Sequence, residues 1–88
     1  MQNGKIKFKA MVENYPDIAC YWNFDDWSVK IKSSEGLPLT GGELVMCDFF
    51  LSVWYERGDK FDLIRAARVL SNDNKRVITD WFMNPYAP

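Results

Sequence analysis

The sequence predicts an α+β fold in which a three-stranded antiparallel β-meander is followed by three helices packed on one face of the sheet. Residues 5–33 alternate between apolar and polar side chains, which is typical of half-buried strands. Residues 40–83 instead carry helical spacing and capping signals. The length of 88 residues suits one domain over 1–88, and an apolar content of 48% supplies its core.

The predicted strands share one register. Apolar and polar residues alternate along three segments: 5–12, 18–24 and 27–33. A two-residue turn at Asp25 and Asp26 pairs Trp22 with Val29, and a loop over 13–17 joins the first two strands with apolar residues again opposite one another. A slip by one residue would place lysines in the core, so this register is favoured.

The second half of the chain predicts three helices. Their ranges are 41–57, 60–71 and 73–83. Thr40 and Glu43 have the spacing of a capping box, Gly58 supplies a left-handed exit from the first helix, and Asp59 is the expected N-cap of the second. Residues 44–56 also alternate among residues that favour strands, so a strand stays open as the alternative there.

Composition excludes several classes of chemistry. The chain has no histidine, so no catalytic pair or triad built on imidazole can form. Eleven basic and twelve acidic residues give a net charge of −1, which excludes a histone-like protein. The sequence has no phosphate-binding glycine loop and no metal-ligand spacing. We therefore expect a protein that is not an enzyme and that uses no metal and no cofactor.

The cysteines and the first residues suggest a compartment. The chain start has no continuous apolar run of the signal-peptide kind, and no stretch reaches the length of about 18 apolar residues that spans a membrane. Cys20 and Cys47 are too few for a disulfide scaffold. The sequence predicts two reduced, buried thiols in a cytoplasmic protein without membrane contact, with a Cys20–Cys47 disulfide as the alternative.

Two surfaces are candidate binding sites. The outer face of the predicted sheet gathers lysines around an exposed aromatic ring: Lys5, Lys7, Lys9, Tyr21, Asn23, Lys30 and Lys32. Such a face serves solubility, binds a protein, or stacks single-stranded nucleic acid. The second candidate is the surface around the polar stripe of the first predicted helix, which consists of Asp48, Ser52 and Glu56 with Tyr55 beside them.

These observations favour a small non-enzymatic binding protein that acts by protein–protein interaction. Its size and composition suit an inhibitor, immunity or adaptor protein of the kind that mobile elements often encode, and its expected partner is another protein. The alternative is a nucleic-acid-binding module that uses the lysine-rich outer sheet face. A homodimer also stays open, because some apolar residues fall outside the predicted core faces.

Overall fold

Five helices and one short hairpin make up the fold of residues 3–88, the part of the chain that the computed structural model describes. In chain order the elements are α1 (Asn3–Glu13), α2 (Pro16–Ala19), β1 (Trp22–Asn23), β2 (Ser28–Val29), α3 (Gly41–Tyr55), α4 (Leu63–Val69) and α5 (Asn72–Met83). Strands β1 and β2 pair antiparallel as a two-stranded sheet. The protein is therefore mostly helical, and the predicted meander under three helices is wrong.

The first predicted strand, 5–12, lies within helix α1. Phe8 and Val12 are fully buried, and residues four apart share a face in a helix as well as in a strand. Ile6 and Ala10, which a strand would also bury, are exposed in the helix. Lysine, alanine and methionine dominate this segment and favour helix intrinsically, so the alternation was coincidental.

The second and third predicted strands survive only as the short hairpin. Helix α2 takes the start of the range 18–24, with Pro16 in its first turn, where a missing amide costs nothing. The predicted pairing of Trp22 with Val29 is present, and the Lys30 amide donates to the Tyr21 carbonyl at 2.8 Å. Within residues 3–88 the sheet has only these two strands, because the segment predicted as the first strand forms helix α1.

Helix α3 is the central element of the fold. The Thr40 hydroxyl accepts from the Glu43 amide at 3.2 Å and the Glu43 carboxylate accepts from the Thr40 amide at 3.0 Å, which completes the predicted capping box. Its buried side chains are Val45, Met46, Cys47, Phe49, Phe50, Leu51 and Val53. The strand alternative for 44–56 is therefore excluded, because the capped helix buries side chains around most of its circumference.

The ends of the three later helices differ from their predicted positions. Helix α3 ends at Tyr55, two residues before the predicted end, because Glu56 rather than Gly58 adopts the left-handed conformation, with φ of 55°. Helix α4 is capped by Asp62, which accepts from the Arg65 amide at 2.9 Å, and not by Asp59. Asp59 instead pairs with the Arg57 guanidinium at 2.9 Å. The helix predicted over 60–71 is observed only as the shorter α4, and the one predicted over 73–83 is observed as α5, which starts one residue earlier and is capped by the Ser71 hydroxyl.

Aromatic rings join the two halves of the chain in one core. The Phe8 ring of α1 lies 5.3 Å from the Trp54 ring and 6.5 Å from the Phe50 ring, both on α3, measured between centroids. The same Phe8 ring lies 5.7 Å from Trp22 of the hairpin. Because edge-to-face and tilted pairs at these distances are favourable, α1 and the hairpin are held against the same side of α3.

The two cysteines are both free, but only one is buried. Cys47 lies in the core on α3, and burial, with smaller contributions from Asp48 and Cys20, raises the pKa of its thiol to about 12. Cys20 is exposed at the end of α2, where its thiol contacts the Asp17 carbonyl at 3.4 Å. The prediction that Cys20 is buried is wrong, because the residue lies at a helix end and not on the inner face of a strand.

Candidate functional site

The residues of the predicted lysine-rich face lie on two different parts of the fold. Lys5, Lys7 and Lys9 lie on α1, whereas the others belong to the hairpin or to the loop that follows it: Tyr21, Asn23, Lys30 and Lys32. No outer sheet face gathers them in the described part of the chain, since the sheet has only two short strands. The binding role expected for these residues was based on a shared outer sheet face, and the structure does not contain that face in the described residues.

The three lysines of α1 lie over aromatic rings of neighbouring elements. The Lys5 ammonium lies 5.3 Å from the centroid of the Trp27 ring, and the Lys9 ammonium lies 5.9 Å from that of Phe24. Lys9 also pairs with Glu13 at 2.9 Å. The Lys7 ammonium lies 5.9 Å from the centroid of the Tyr86 ring in the C-terminal tail. Cation–π contacts of this kind are attractive, so Lys5 and Lys9 hold the hairpin loop against α1, and Lys7 holds the tail.

The second predicted surface, the polar stripe of α3, lies at two adjoining depressions. Ser52 and Glu56 line an apolar depression, while Ser52 and Tyr55 line a smaller charged one. Asp48, one turn earlier, is half-buried and does not line either depression. Ser52, Tyr55 and Glu56 thus line concave surfaces, whose apolar lining their polar pattern does not indicate.

The larger depression, which we call the apolar groove, has a volume of about 570 Å³. It lies between the end of α3, the start of α4, the end of α5 and the C-terminal tail. Its main apolar lining is Phe49, Val53, Phe61, Leu63, Trp81 and Phe82. The Phe49 ring packs edge-on against both Phe61 and Trp81, at 5.6 Å and 5.7 Å between centroids. These rings form a fixed apolar wall.

The C-terminal tail closes one side of the apolar groove. The Trp81 indole donates to the Tyr86 carbonyl at 3.1 Å, and the Tyr86 hydroxyl donates to the Lys7 carbonyl at 3.2 Å. Burial raises the pKa of the Tyr86 phenol. The tail is thereby attached both to α5 and to α1, so that side of the groove is built from fixed backbone.

Two large side chains of the apolar groove are left largely in solvent. Phe82 on α5 is 74% exposed and Leu63 on α4 is 66% exposed. Ile64 and Met83 are exposed to a similar degree, at 62% and 77%, but do not line the groove. The groove therefore has an apolar rim as well as an apolar wall.

The smaller depression, which we call the basic pocket, has a volume of about 230 Å³. Its charged lining residues are Lys32, Arg57, Asp59 and Lys60. Leu51, Ser52 and Tyr55 complete its lining. Ser52 and Arg57 line the apolar groove as well, so the two depressions meet at the end of α3.

A buried hydroxyl and a half-buried carboxylate fix the loop before α3. The Ser34 hydroxyl donates to the Asp48 carboxylate at 2.5 Å, and Ser34 is a buried polar residue of the described chain. Burial raises the pKa of the Asp48 carboxyl, while the Ser34 hydrogen bond and the charges of Arg65 and Lys60 act in the opposite direction. This pair holds the 30–40 loop, which carries Lys32, against α3.

Two further kinds of feature are absent from residues 3–88. No group of three or more histidine, cysteine, aspartate or glutamate side chains lies close enough together to hold a metal ion. No helix in this range is both long and apolar enough to cross a membrane. Comparison with protein-family models, with curated proteins and with solved structures finds no significant match to this chain.

Proposed function

We propose that this chain is a non-enzymatic protein-binding domain, of the inhibitor, immunity or adaptor type, that holds an apolar segment of another protein in the apolar groove. The observation that carries the proposal is the exposure of Phe82 and Leu63 at the rim of a groove already walled by aromatic rings. Contiguous exposed apolar surface is unusual on a monomer and is typical of interaction sites. Aromatic anchors in such grooves supply most of the binding energy.

The recognition mode that fits is a partner helix or extended segment placed with its apolar residues in the groove. The groove wall is preformed by ring packing and by the attached C-terminal tail, so binding orders few protein side chains. A preformed groove lowers the entropic cost of association. The activity of such a domain is occlusion or recruitment of the partner.

The proposal is tested by selecting peptides from a random library displayed on phage, with the intact protein as bait. We expect enrichment of related sequences rich in leucine and aromatic residues. Phe82→Asp and Leu63→Asp should weaken binding of a selected peptide by at least about tenfold, since each removes an apolar contact and adds a charge to the groove.

The chain offers a neighbouring control for each of these variants. Met83→Asp and Ile64→Asp introduce the same charge at equally exposed positions that do not line the groove. They should bind the selected peptide as the wild type does. Failure to enrich any related sequences, or equal losses in the controls, would show that the groove is not a binding site.

A further inference from the structure

We infer that the partner segment carries a carboxylate beside its apolar anchors, and that the basic pocket binds this carboxylate while the apolar groove holds the anchors. This inference rests on the proposed function. Its starting point is the adjacency of the two depressions, which share Ser52 and Arg57 at the end of α3. Ser52 and Arg57 thus separate two adjoining depressions, and a segment in the groove that extends past these two residues reaches the basic pocket.

The charges around the pocket leave two lysines for an anion. The Arg57 guanidinium is already paired with Asp59 at 2.9 Å, so its charge is largely balanced. Within the described chain, neither Lys32 nor Lys60 has a carboxylate within 4.0 Å, although Lys60 also acts on Asp48 at longer range. Glu56 on the groove side is the remaining acidic neighbour.

The pocket's hydroxyl groups are committed to protein acceptors. The Tyr55 hydroxyl donates to the Ile31 carbonyl at 3.3 Å, and the Ser52 hydroxyl donates to the Asp48 carbonyl at 2.9 Å. The donors left for a ligand are therefore the two lysine ammonium groups and the remaining guanidinium N–H groups. The Tyr55 bond also places the backbone next to Lys32 against α3, so this lysine is held near the pocket.

A carboxylate of a protein fits this arrangement better than a nucleic acid does. Nucleic-acid affinity grows with the number of phosphates that are neutralised, and a pocket with two unpaired lysines on a chain of net charge −1 supplies few. The adjoining groove offers apolar surface, which suits leucine or aromatic side chains. An ammonium donating to a carboxylate is a charge-assisted bond and gives selectivity for acidic over neutral segments.

The test uses synthetic fluorescein-labelled peptides that contain two leucines one helical turn apart followed by two glutamates. Matched peptides carry glutamines instead, and each is made with a free and with an amidated C-terminus. Fluorescence anisotropy with the intact protein should show the glutamate peptide binding about tenfold tighter than the glutamine peptide. A preference that follows the free C-terminus and not the glutamates would assign the pocket to a chain terminus, which is the same chemistry from another source.

Variants of the pocket decide whether the lysines are responsible. The double variant Lys32→Gln with Lys60→Gln should reduce the glutamate preference to within about twofold, since the charge-assisted bonds are lost. Lys30→Gln removes an exposed charge two residues from Lys32, outside the pocket, and should leave the preference intact. Asp59→Asn should strengthen glutamate-peptide binding, because it releases Arg57 for the ligand.

The outcomes separate this inference from the proposed function. If both peptides bind equally well and Phe82→Asp abolishes both, the groove stands and the carboxylate inference fails. If neither peptide binds and library selection yields no related sequences, the proposed function fails together with the carboxylate inference. Competition by a single-stranded oligonucleotide but not by the glutamate peptide would favour nucleic acid. A doubled mass in sedimentation that Phe82→Asp reverses would identify a second copy as the occupant. Either of these last two results overturns the inference.

Discussion

Gly4 lies where the C-terminal tail passes α1, and the backbone there leaves no room for a side chain. A Cβ at this position would overlap the Ala87 carbonyl oxygen and lie 3.1 Å from its carbon. The overlapping atoms belong to backbone, so they cannot move aside as a flexible side chain would. The tail that carries Tyr86 along one side of the apolar groove therefore depends on glycine here.

Gly4→Ala should lower the free energy of unfolding, because overpacking against backbone typically costs about 1–3 kcal/mol and exceeds the gain in helix propensity. Gly41→Ala is the matched variant, since a Cβ there meets nothing within 4 Å and also lies in a helix. It should keep or raise the stability. Urea unfolding followed by circular dichroism compares the two, and equal stabilities would contradict the close approach.

Asp48 gives the stability a specific dependence on pH. Burial raises its pKa above the ordinary value of 3.8, which is the value expected in the unfolded chain. The folded protein then binds a proton more tightly than the unfolded chain does. This carboxyl's contribution to stability is therefore most favourable at low pH and declines as the pH rises from the unfolded pKa through the folded one.

Asp48→Asn should stabilise the protein more at about pH 7 than at about pH 4, since it removes this decline and keeps an oxygen to accept from Ser34. Ser34→Ala should steepen the decline, because the hydrogen bond that lowers the Asp48 pKa is lost. Urea unfolding across this pH range measures both slopes. Parallel curves for wild type and both variants would refute the assignment.

At the scale of elements, α3 carries most of the packing and α5 presents part of its apolar face to solvent. Phe50 of α3 is fully buried and packs against Phe8, Tyr15 and Phe49. Phe82 of α5 is the same residue type and is largely exposed. The contrast separates the structural role of one helix from the binding role proposed for the other.

Phe50→Ala should cost about 3–5 kcal/mol, the usual range for a large core aromatic. Phe82→Ala should stay within about 0.5 kcal/mol, because its ring has little packing to lose. Chemical denaturation of both variants measures the difference. A loss in Phe82→Ala as large as that in Phe50→Ala would place its ring in the core and remove the basis of the apolar groove.

The start of α3 is predictable from the sequence, because local chemistry determines it, whereas α1 is not. The Thr40–Glu43 capping box is an interaction between neighbours in sequence, so its spacing revealed it. Helix α1 was mistaken for a strand because Phe8 and Val12, four apart, share a face in either structure. Only packing against residues distant in sequence, such as that of Phe8 on Phe50 and Trp54, decides between the two.

The candidate site shows the same division between local and distant information. Ser52, Tyr55 and Glu56 follow one helical stripe, which periodicity reveals. Phe61 precedes α4 and Phe82 lies on α5, so neither belongs to the stripe of α3. The sequence pattern of α5 places Phe82 on its apolar face with Ile78 and Trp81. In the structure Ile78 is buried and Phe82 is largely exposed, a difference that no local pattern records.

At the scale of the whole molecule, neither half of the chain has a core of its own. Phe8, Val12, Ile18 and Trp22 from the first forty residues share one apolar cluster with the buried side chains of α3, α4 and α5. Without them, Phe50 and Trp54 of α3 would face water. Helices of about 12–15 residues or fewer are only marginally stable unless tertiary packing covers their apolar faces.

A fragment of residues 41–88 should therefore lack a cooperative thermal transition, although it contains α3, α4 and α5 in full. Adding an equimolar fragment of residues 1–40 should restore helical signal in far-UV circular dichroism, because it returns Phe8 and Trp22 to the surface of α3. The matched control is the 1–40 fragment with Phe8→Asp, which places a charge in the core and should fail to restore it. A cooperative transition in 41–88 alone would show that the helical half folds independently, and that α1 and the hairpin only cover it.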